Sequence, residues 1–237
     1  MDGFRERVAR GDLLRGLWQG LPGPLAAEIA GDAGFDWLLL DGEHGPWDPS
    51  DLRARAIAAR ATGTPVGVRV PTNETWLIRQ ALEVGPDFVM VPMVGGADAA
   101  RAAVAASRYP PHGVRGQGAA ITRAGRFGRR AEPAASLWLQ VESRAALDDL
   151  EAICAVDGVD VVFIGPADLG YDMGHPEGGP EVDAACADAI ARIRAAGRPA
   201  GIFGADPERW VGEGATLVAM GADATILAAT LGGLAGR

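Results

Sequence analysis

The 237-residue sequence contains no lysine, so all 22 of its basic residues are arginine. This absence excludes a Schiff base on a lysine, a lysine-linked pyridoxal phosphate and the lysine of a P-loop. Activation of a carbonyl group must therefore come from another source, and a metal ion is the first candidate.

Positive charge is scarce as well, because 31 acidic residues outnumber the arginines and give a net charge of -9 and a pI near 4.8. Such a charge argues against a general nucleic-acid surface and against an anionic membrane as partner. No apolar run reaches the roughly 18 residues of a membrane-spanning helix, and residues 1–11 are charged rather than basic and then apolar. We expect a protein of the cytoplasm.

Cysteine is nearly absent. Cys154 and Cys186 have no metal-ligand spacing, and each lies in an apolar helical pattern. We predict that both are small buried thiols, which agrees with a cytoplasmic location.

Eight short β-rich runs alternate with segments of helical spacing. The runs are "LLRGLWQG", "DWLLLD", "PVGVRV", "DFVMVPM", "LWLQVE", "VVFIGP", "PAGIFG" and "LVAMGAD", and the helical segments include residues 49–62, 73–84, 143–156, 181–196 and 225–234. This alternation predicts an α/β fold, namely a closed (β/α)8 TIM barrel, in a single domain spanning residues 1–237. A doubly wound sheet is the alternative, but "GLPGPLAAE" lacks the GxGxxG spacing expected after the first strand.

Residues 109–135 interrupt this regularity with a stretch rich in Gly and Arg. The arginines of this stretch are Arg115, Arg123, Arg126, Arg129 and Arg130. The segment is either a solvated surface loop, or a lid or subunit contact that attracts carboxylate-bearing substrates.

Polar residues cluster where the predicted strands end, which is where (β/α)8 barrels carry their active sites. They are Asp41, Glu43 and His44 after the second strand, Arg69 at the third, Gln140 and Glu142 at the fifth, and Asp168 after the sixth. These positions predict one shared site at the barrel mouth.

Two of these carboxylates, Glu142 and Asp168, bound buried strands, which is costly unless each is paired or bound to a cation. Together they form a site of hard oxygen ligands that suits Mg²⁺ or Mn²⁺. The alternative is that one or both pair with Arg69 or cap the following helix.

His44 is a candidate general base, because imidazole titrates near operating pH, and Asp41 could orient it. A structural histidine bonded to a loop carbonyl is the alternative. Arg69 suits an oxyanion or a carboxylate, and an ion pair with Glu142 or Asp41 is compatible with that role. His112 and His175 lie in loops rich in Pro and Gly, and we assign them no role.

These residues carry a family resemblance. From about Gly16 to Leu231 the chain resembles the HpcH/HpaI family of metal-dependent, class II pyruvate aldolases. The segments that carry it are "LLLDGEHGPWD", "VGVRVP", "VMVPMV", "RYPPHGVRGQG", "LWLQVES" and "GVDVVFIGPADLGYDMG".

The resemblance implies reversible aldol addition of pyruvate, or a related 2-oxo acid such as hydroxypyruvate, to an aldehyde, and so cleavage of 4-hydroxy-2-oxo acids. It implies a homohexamer that uses Mg²⁺, Mn²⁺ or Co²⁺. The implied roles are metal binding by Glu142 and Asp168, proton transfer by His44, stabilisation of the enolate oxygen by Arg69, and carboxylate binding by Gln140 and the backbone at Gly165, Ala167 and Asp168.

One position departs from the family pattern. Glu83 in "ALEVG" stands where the family has an aspartate that raises the basicity of the catalytic histidine. Because Glu83 ends the helix after the third strand, at the N-terminal face of the barrel, we expect it to reach only the His44 of another subunit. If it does not, Asp41 is the sole partner of His44.

Two other functions stay open. Oxaloacetate decarboxylation would use the same metal-bound 2-oxo acid. A non-catalytic metal-binding barrel would need the base or the metal ligands to be missing, and His44, Arg69, Glu142 and Asp168 are all present.

Overall fold

Eight parallel strands close into a barrel in chain order, with β1 pairing both β2 and β8. This is seen in a computed structural model that describes residues 3–118, 120–129, 135–176, 178–204 and 206–236. The strands are β1 (Leu14–Gln19), β2 (Trp37–Asp41), β3 (Val66–Arg69), β4 (Phe88–Val91), β5 (Ser136–Val141), β6 (Val161–Ile164), β7 (Ala200–Phe203) and β8 (Leu217–Ala222). All eight predicted strands and the (β/α)8 TIM barrel are confirmed, and the doubly wound alternative is rejected.

Helices follow the strands around the outside of the barrel. They are α1 (Phe4–Arg10), α2 (Pro24–Asp32), α3 (Pro49–Ala61), α4 (Thr75–Glu83), α5 (Ala97–Ser107), α6 (Arg144–Asp148), α7 (Leu150–Cys154), α8 (Pro166–Met173), α9 (Pro180–Ala195), α10 (Pro207–Glu213) and α11 (Asp223–Leu234). The one helix predicted over residues 143–156 is divided into α6 and α7 at Asp149. The backbone of Asp149 is not helical. Its carboxylate accepts a hydrogen bond from the N–H of Ala97 at 2.6 Å and so binds the first residue of α5.

The two-residue alternation of each strand decides which side chains enter the barrel. In β2, Trp37 and Leu39 point inward, whereas Leu38 and Leu40 face the helices. The next inward position is Asp41, at the end of the strand. By the same alternation, Arg69 near the end of β3 and Gln140 near the end of β5 also point inward. The interior of the barrel is therefore apolar, and its C-terminal mouth is polar.

Large aromatic rings fill the interior below that mouth. Phe88 and Trp138 stack with centroids 3.8 Å apart, and Trp37 meets Trp138 edge to face at 5.5 Å. Gly67, on the strand beside Phe88, provides the space for its ring, since a Cβ there would overlap the ring. Phe4 of α1 covers the N-terminal end of the barrel by packing against Phe88 at 5.7 Å.

The described residues of the arginine-rich stretch, 109–118, 120–129 and 135, lie at the N-terminal face, because they come between the end of α5 and the start of β5. That face is opposite the chain's own barrel mouth, so of the two alternatives to a surface loop, a subunit contact stays a prediction. Arg126 and Arg129 are exposed, as a solvated loop requires, but Arg115 is buried and donates to Glu83. Arg130 lies outside the described residues.

The two cysteines are buried and free, as predicted. Burial raises the pKa of Cys154 to about 11 and that of Cys186 to about 12, so neither thiol is poised as a nucleophile. Within the described ranges, no helix has the length and apolar character needed to cross a membrane.

We predict that Gly67→Ala destabilises the barrel by about 1–3 kcal/mol, because the new methyl group would push Phe88 out of a packed interior. Urea unfolding measures the loss. Gly95→Ala is the matched control, since its Cβ meets nothing within 4 Å. Equal stability of the two variants would contradict this account of the interior.

Candidate active site

The predicted site residues assemble at the C-terminal ends of neighbouring strands. Asp41 and Arg69 end β2 and β3, which pair with Asp41 beside Arg69. Gln140 lies in β5, and Glu142 follows that strand by one residue. Asp168 lies in the first turn of α8, directly after β6. The closed barrel brings these residues to one mouth, although they are far apart in the sequence.

A buried ion pair between Arg69 and Asp41 forms the centre of the site. Nε of Arg69 donates to Oδ1 of Asp41 at 2.9 Å and Nη2 donates to Oδ2 at 2.6 Å. Burial opposes the charged carboxylate, but the hydrogen bonds and charge of Arg69 outweigh it and lower the pKa of Asp41. Trp18 contributes from below, since its Nε1 donates to Asp41 at 3.2 Å and its ring lies 4.9 Å from the Arg69 guanidinium carbon.

The remaining nitrogen of Arg69, Nη1, faces two further acceptors. It lies 2.7 Å from Oε2 of Glu43 and 3.4 Å from Oε1 of Gln140. Glu43 is a site residue to which the sequence analysis gave no role. Its position beside His44 after β2 was the available signal, but its contact with Arg69 depends on the path of the loop.

Glu142 is a buried carboxylate held by two donors. The backbone N–H of Met93 donates to Oε1 at 2.6 Å, and Nε2 of Gln140 donates to Oε2 at 3.0 Å. Burial raises its pKa to about 7 despite the Met93 hydrogen bond, and the charges of Asp168 and Glu43 raise it further. Three carboxylates therefore influence one another at the mouth.

Met93 was not foreseen as a site residue. Its φ of 53° is rare for a residue with a side chain, and this backbone conformation accompanies the hydrogen bond to Glu142. Strain of this kind is common at functional sites.

Gly165 lies between the end of β6 and the first residue of α8. Its N–H donates to the carbonyl of Val141 at 3.2 Å and so belongs to the barrel. A Cβ at this position would overlap the Glu142 carboxylate, so the position requires glycine. Ala167 and Asp168 follow in the first turn of α8, where helix N–H groups lack intrahelical partners and favour anions.

His44 is exposed at the rim of the mouth. Its backbone N–H donates to Oδ1 of Asp41 at 3.3 Å. Burial raises the pKa of the neighbouring Glu43, although the charge of Arg69 and then that of His44 oppose this rise. Among the described residues, no hydrogen bond joins the imidazole to Asp41, whose carboxylate binds Arg69 and Trp18 instead. Through its hydrogen bonds to the backbone N–H groups of Glu43 and His44, Asp41 fixes the loop that carries the imidazole.

Glu83 ends α4 at the N-terminal face, as predicted, and is distant from the chain's own His44. Its Oε1 accepts from Arg115 at 3.1 Å. Its Oε2 is shielded from solvent and has no hydrogen-bond partner within the described chain. The side chain is thus held in place with one acceptor unused.

Glu142 and Asp168 are the residues that fit a divalent cation. Their oxygens are the ligands such ions prefer, and a cation would relieve the cost of the buried Glu142 charge. No group of three or more His, Cys, Asp or Glu side chains suited to a metal occurs in the part of the chain that is described. A metal held here would have few protein ligands and would keep positions for water and substrate.

Comparison with known proteins gives consistent results. The HpcH/HpaI aldolase/citrate lyase family matches residues 14–229. A hydroxypyruvate/pyruvate aldolase of Roseovarius nubinhibens is 45% identical over 96% of this chain and 93% of the relative. A 4-hydroxy-2-oxo-heptane-1,7-dioate aldolase of Salmonella dublin is 43% identical over 99% of this chain and 93% of the relative.

A solved structure of the same family has the same fold as this chain. The crystal structure of a HpcH/HpaI aldolase/citrate lyase family protein from Burkholderia cenocepacia superposes with a TM-score of 0.92 at 35% sequence identity. The superposition covers 100% of this chain and 99% of that one.

We predict that Glu142→Gln stabilises the metal-free protein above pH 7 by on the order of 2 kcal/mol. Because the folded-state pKa is raised from 4.5 to about 7, wild-type stability falls as pH rises between these values. The variant carries no such charge, so its advantage grows over that range and vanishes below it.

Thermal unfolding of the metal-free proteins at several pH values measures the difference. Glu28→Gln, at an exposed position of α2, is the control. A Glu142→Gln protein that is no more stable than wild type at high pH would contradict the buried-charge account.

Proposed function

The chain belongs to the HpcH/HpaI aldolase family, and on that premise we propose that it is a divalent-metal-dependent aldolase acting on pyruvate or hydroxypyruvate. In the forward direction the 2-oxo acid adds to an aldehyde, and in reverse a 4-hydroxy-2-oxo acid is cleaved. The observation that carries the proposal is the barrel mouth, where the buried Glu142 lies beside Arg69, Gln140 and Asp168.

We propose Glu142 and Asp168 as the metal ligands, with Mg²⁺, Mn²⁺ or Co²⁺ as the ion, since oxygen ligands in low number accept all three. When bound, the ion supplies Lewis acidity to the ketone of the 2-oxo acid, which lowers the barrier to loss of a C3 proton. Gln140 holds the Glu142 carboxylate in place through its amide N–H.

His44 is the proposed base for the C3 proton. It is exposed at the rim, where its imidazole can meet a ligand in the mouth, and imidazole is the side chain that most often serves as a general base in enzymes. After the aldehyde has reacted, the same imidazole can return a proton to the new hydroxyl group.

Arg69 is the proposed stabiliser of the negative charge that develops on the ketone oxygen. Asp41 binds two of its nitrogens and leaves Nη1 directed toward Glu43 and Gln140. Asp41 is therefore a positioning residue. A guanidinium fixed in advance stabilises charge more effectively than one that must reorganise.

The N–H groups of Ala167 and Asp168 at the start of α8 are the proposed partners of the substrate carboxylate, together with Gln140. Pro166 precedes them and has no N–H, so only the later residues of the turn can donate. The space left by Gly165 beside Glu142 keeps this end of the mouth open.

Glu83 is proposed to act on the His44 of a neighbouring subunit in a homohexamer. Its unused Oε2 and its fixation by Arg115 support this role, as does its distance from the chain's own His44. A carboxylate beside an imidazole raises the basicity of the imidazole.

Oxaloacetate decarboxylation is a compatible side activity, because loss of carbon dioxide would leave the same stabilised negative charge beside Arg69. A cytoplasmic location also stays a prediction.

Incubation with pyruvate in D₂O tests proton removal directly, since the methyl signal disappears from the NMR spectrum as deuterium enters. We expect exchange that requires Mg²⁺ or Mn²⁺ and that falls about 10²- to 10⁴-fold in His44→Ala. His112→Ala, at an exposed histidine of the opposite face, is the control and should exchange normally. Exchange without metal, or full exchange in His44→Ala, would refute the assignment, and hydroxypyruvate is the second substrate to test.

We predict that Glu83→Gln lowers the exchange rate and moves its pH dependence to lower pH, because the proposed base loses the carboxylate partner that makes an imidazole more basic. Mixed hexamers test the intersubunit geometry. Subunits with His44→Ala and subunits with Glu83→Gln should together form sites with both residues intact, so the mixture should exceed the summed activity of the two variants. Full activity and an unshifted pH profile in Glu83→Gln would refute the role.

A further inference from the structure

A cluster of arginines surrounds two adjoining cavities at the N-terminal face, the end of the barrel opposite the candidate active site. Arg60, Arg123 and Arg126 line both cavities, and the smaller cavity has a volume of about 240 Å³. Arg60 comes from the end of α3, whereas the other two come from the arginine-rich stretch before β5. Two separate parts of the chain thus direct guanidinium groups at the same space.

Among the described residues that line the two cavities, arginines outnumber acidic side chains. Asp87, which also lines both cavities, binds Arg60 at 2.8 Å, and its same oxygen accepts the N–H of Val66. Arg123 donates to the carbonyl of Val84 at 3.1 Å. The ion pairs of the described residues do not include Arg126, and Nε of Arg60 is buried without an acceptor among the described residues.

The arginines also repel one another. Burial lowers the pKa of Arg123, and the charges of Arg60 and Arg126 lower it further, outweighing Asp87. Arg53, two turns before Arg60 on α3, adds a more distant positive charge. In a protein with a net charge of -9, such a concentration of unbalanced cations is costly unless an anion binds there.

The backbone at this place is strained as well. Arg126 and Phe127 have φ values of 49° and 56°, and the 3-10 turn Arg126–Gly128 holds them there. Strain in consecutive residues with side chains persists where the surroundings compensate for it, and an anion bound to Arg126 would contribute to that compensation.

From these observations we propose that Arg60, Arg123 and Arg126 form a binding site for a phosphate dianion, either the free ion or the phosphate group of a small metabolite. Guanidinium groups are the residues best suited to phosphate, because their planar N–H pairs match its oxygens. The site is separate from the barrel mouth, so it does not depend on the proposed aldolase reaction. Its occupation stabilises the 3-10 turn and the stretch that carries Arg115.

Calorimetric titration of the metal-loaded protein with inorganic phosphate tests the site, at about pH 8 where phosphate is mainly the dianion. We expect saturable binding and a rise of the melting temperature with phosphate concentration. Arg126→Gln should weaken binding about ten-fold or more, since it removes a charge-assisted partner and no other described ion pair. Arg60→Gln should do the same, and its fold is checked by the unfolding curve without phosphate.

Arg129→Gln is the matched control, since Arg129 is an exposed arginine of the same stretch that does not line the cavities. It removes the same charge and should change the affinity less than about two-fold. Glycerol 3-phosphate distinguishes the sources of the ligand: tighter binding than inorganic phosphate supports a phosphorylated metabolite, and weaker binding supports the free ion.

Three results would overturn the proposal. The first is no saturable phosphate binding, which would show that the cluster is not an anion site. The second is unchanged affinity in Arg126→Gln, which would place the ion elsewhere, such as the barrel mouth. The third is equally tight binding of succinate, which would show that the site does not select phosphate.

Discussion

The bidentate ion pair between Arg69 and Asp41 organises the barrel mouth. Both residues are buried at the ends of paired strands, so their nitrogens and oxygens can be satisfied only by each other and by near neighbours. Removing one partner of such a pair typically costs about 3–5 kcal/mol, because the other charge is left buried and uncompensated. The pair directs Nη1 of Arg69 toward Glu43 and Gln140, and Gln140 in turn holds Glu142, so one chain of contacts links the proposed oxyanion site to the proposed metal site.

Apart from that ion pair, several features of the mouth lower the stability of the protein. Glu142 is buried among Asp168 and Glu43, and this arrangement raises its pKa when no cation is present. Gly165 has no side chain that could overlap the Glu142 carboxylate. Met93 has a left-handed backbone conformation, and its N–H donates to the same carboxylate. Each of these features costs stability by itself. A cation bound between Glu142 and Asp168 would offset that cost. Below the mouth, Trp37, Phe88 and Trp138 pack against one another. The burial of these rings stabilises the barrel and offsets the cost of the features at the mouth.

Much of this architecture could be predicted from the sequence, because the features that matter follow from periodicity. Asp41, Arg69 and Glu142 each end or follow an apolar run, and strand alternation with barrel closure is enough to bring them together. What could not be predicted depends on irregular backbone. The contact of Glu43 with Arg69, the conformation of Met93 and the break at Asp149 follow from loops and caps that have no period. The role of the stretch at residues 109–135 stayed open between a surface loop and a lid or subunit contact, because its composition does not reveal which strand end it joins.

The central claim is that Glu142 and Asp168 hold a divalent cation at this mouth, and a Mn²⁺ titration followed by electron paramagnetic resonance tests it most directly. The account predicts binding of about one ion per chain in the wild type and an affinity more than about ten-fold weaker in Asp168→Asn. Asp172→Asn changes an exposed carboxylate one turn further along α8, where it contacts Arg144, and should bind Mn²⁺ normally. Unchanged Mn²⁺ affinity in a folded Asp168→Asn protein would contradict the account.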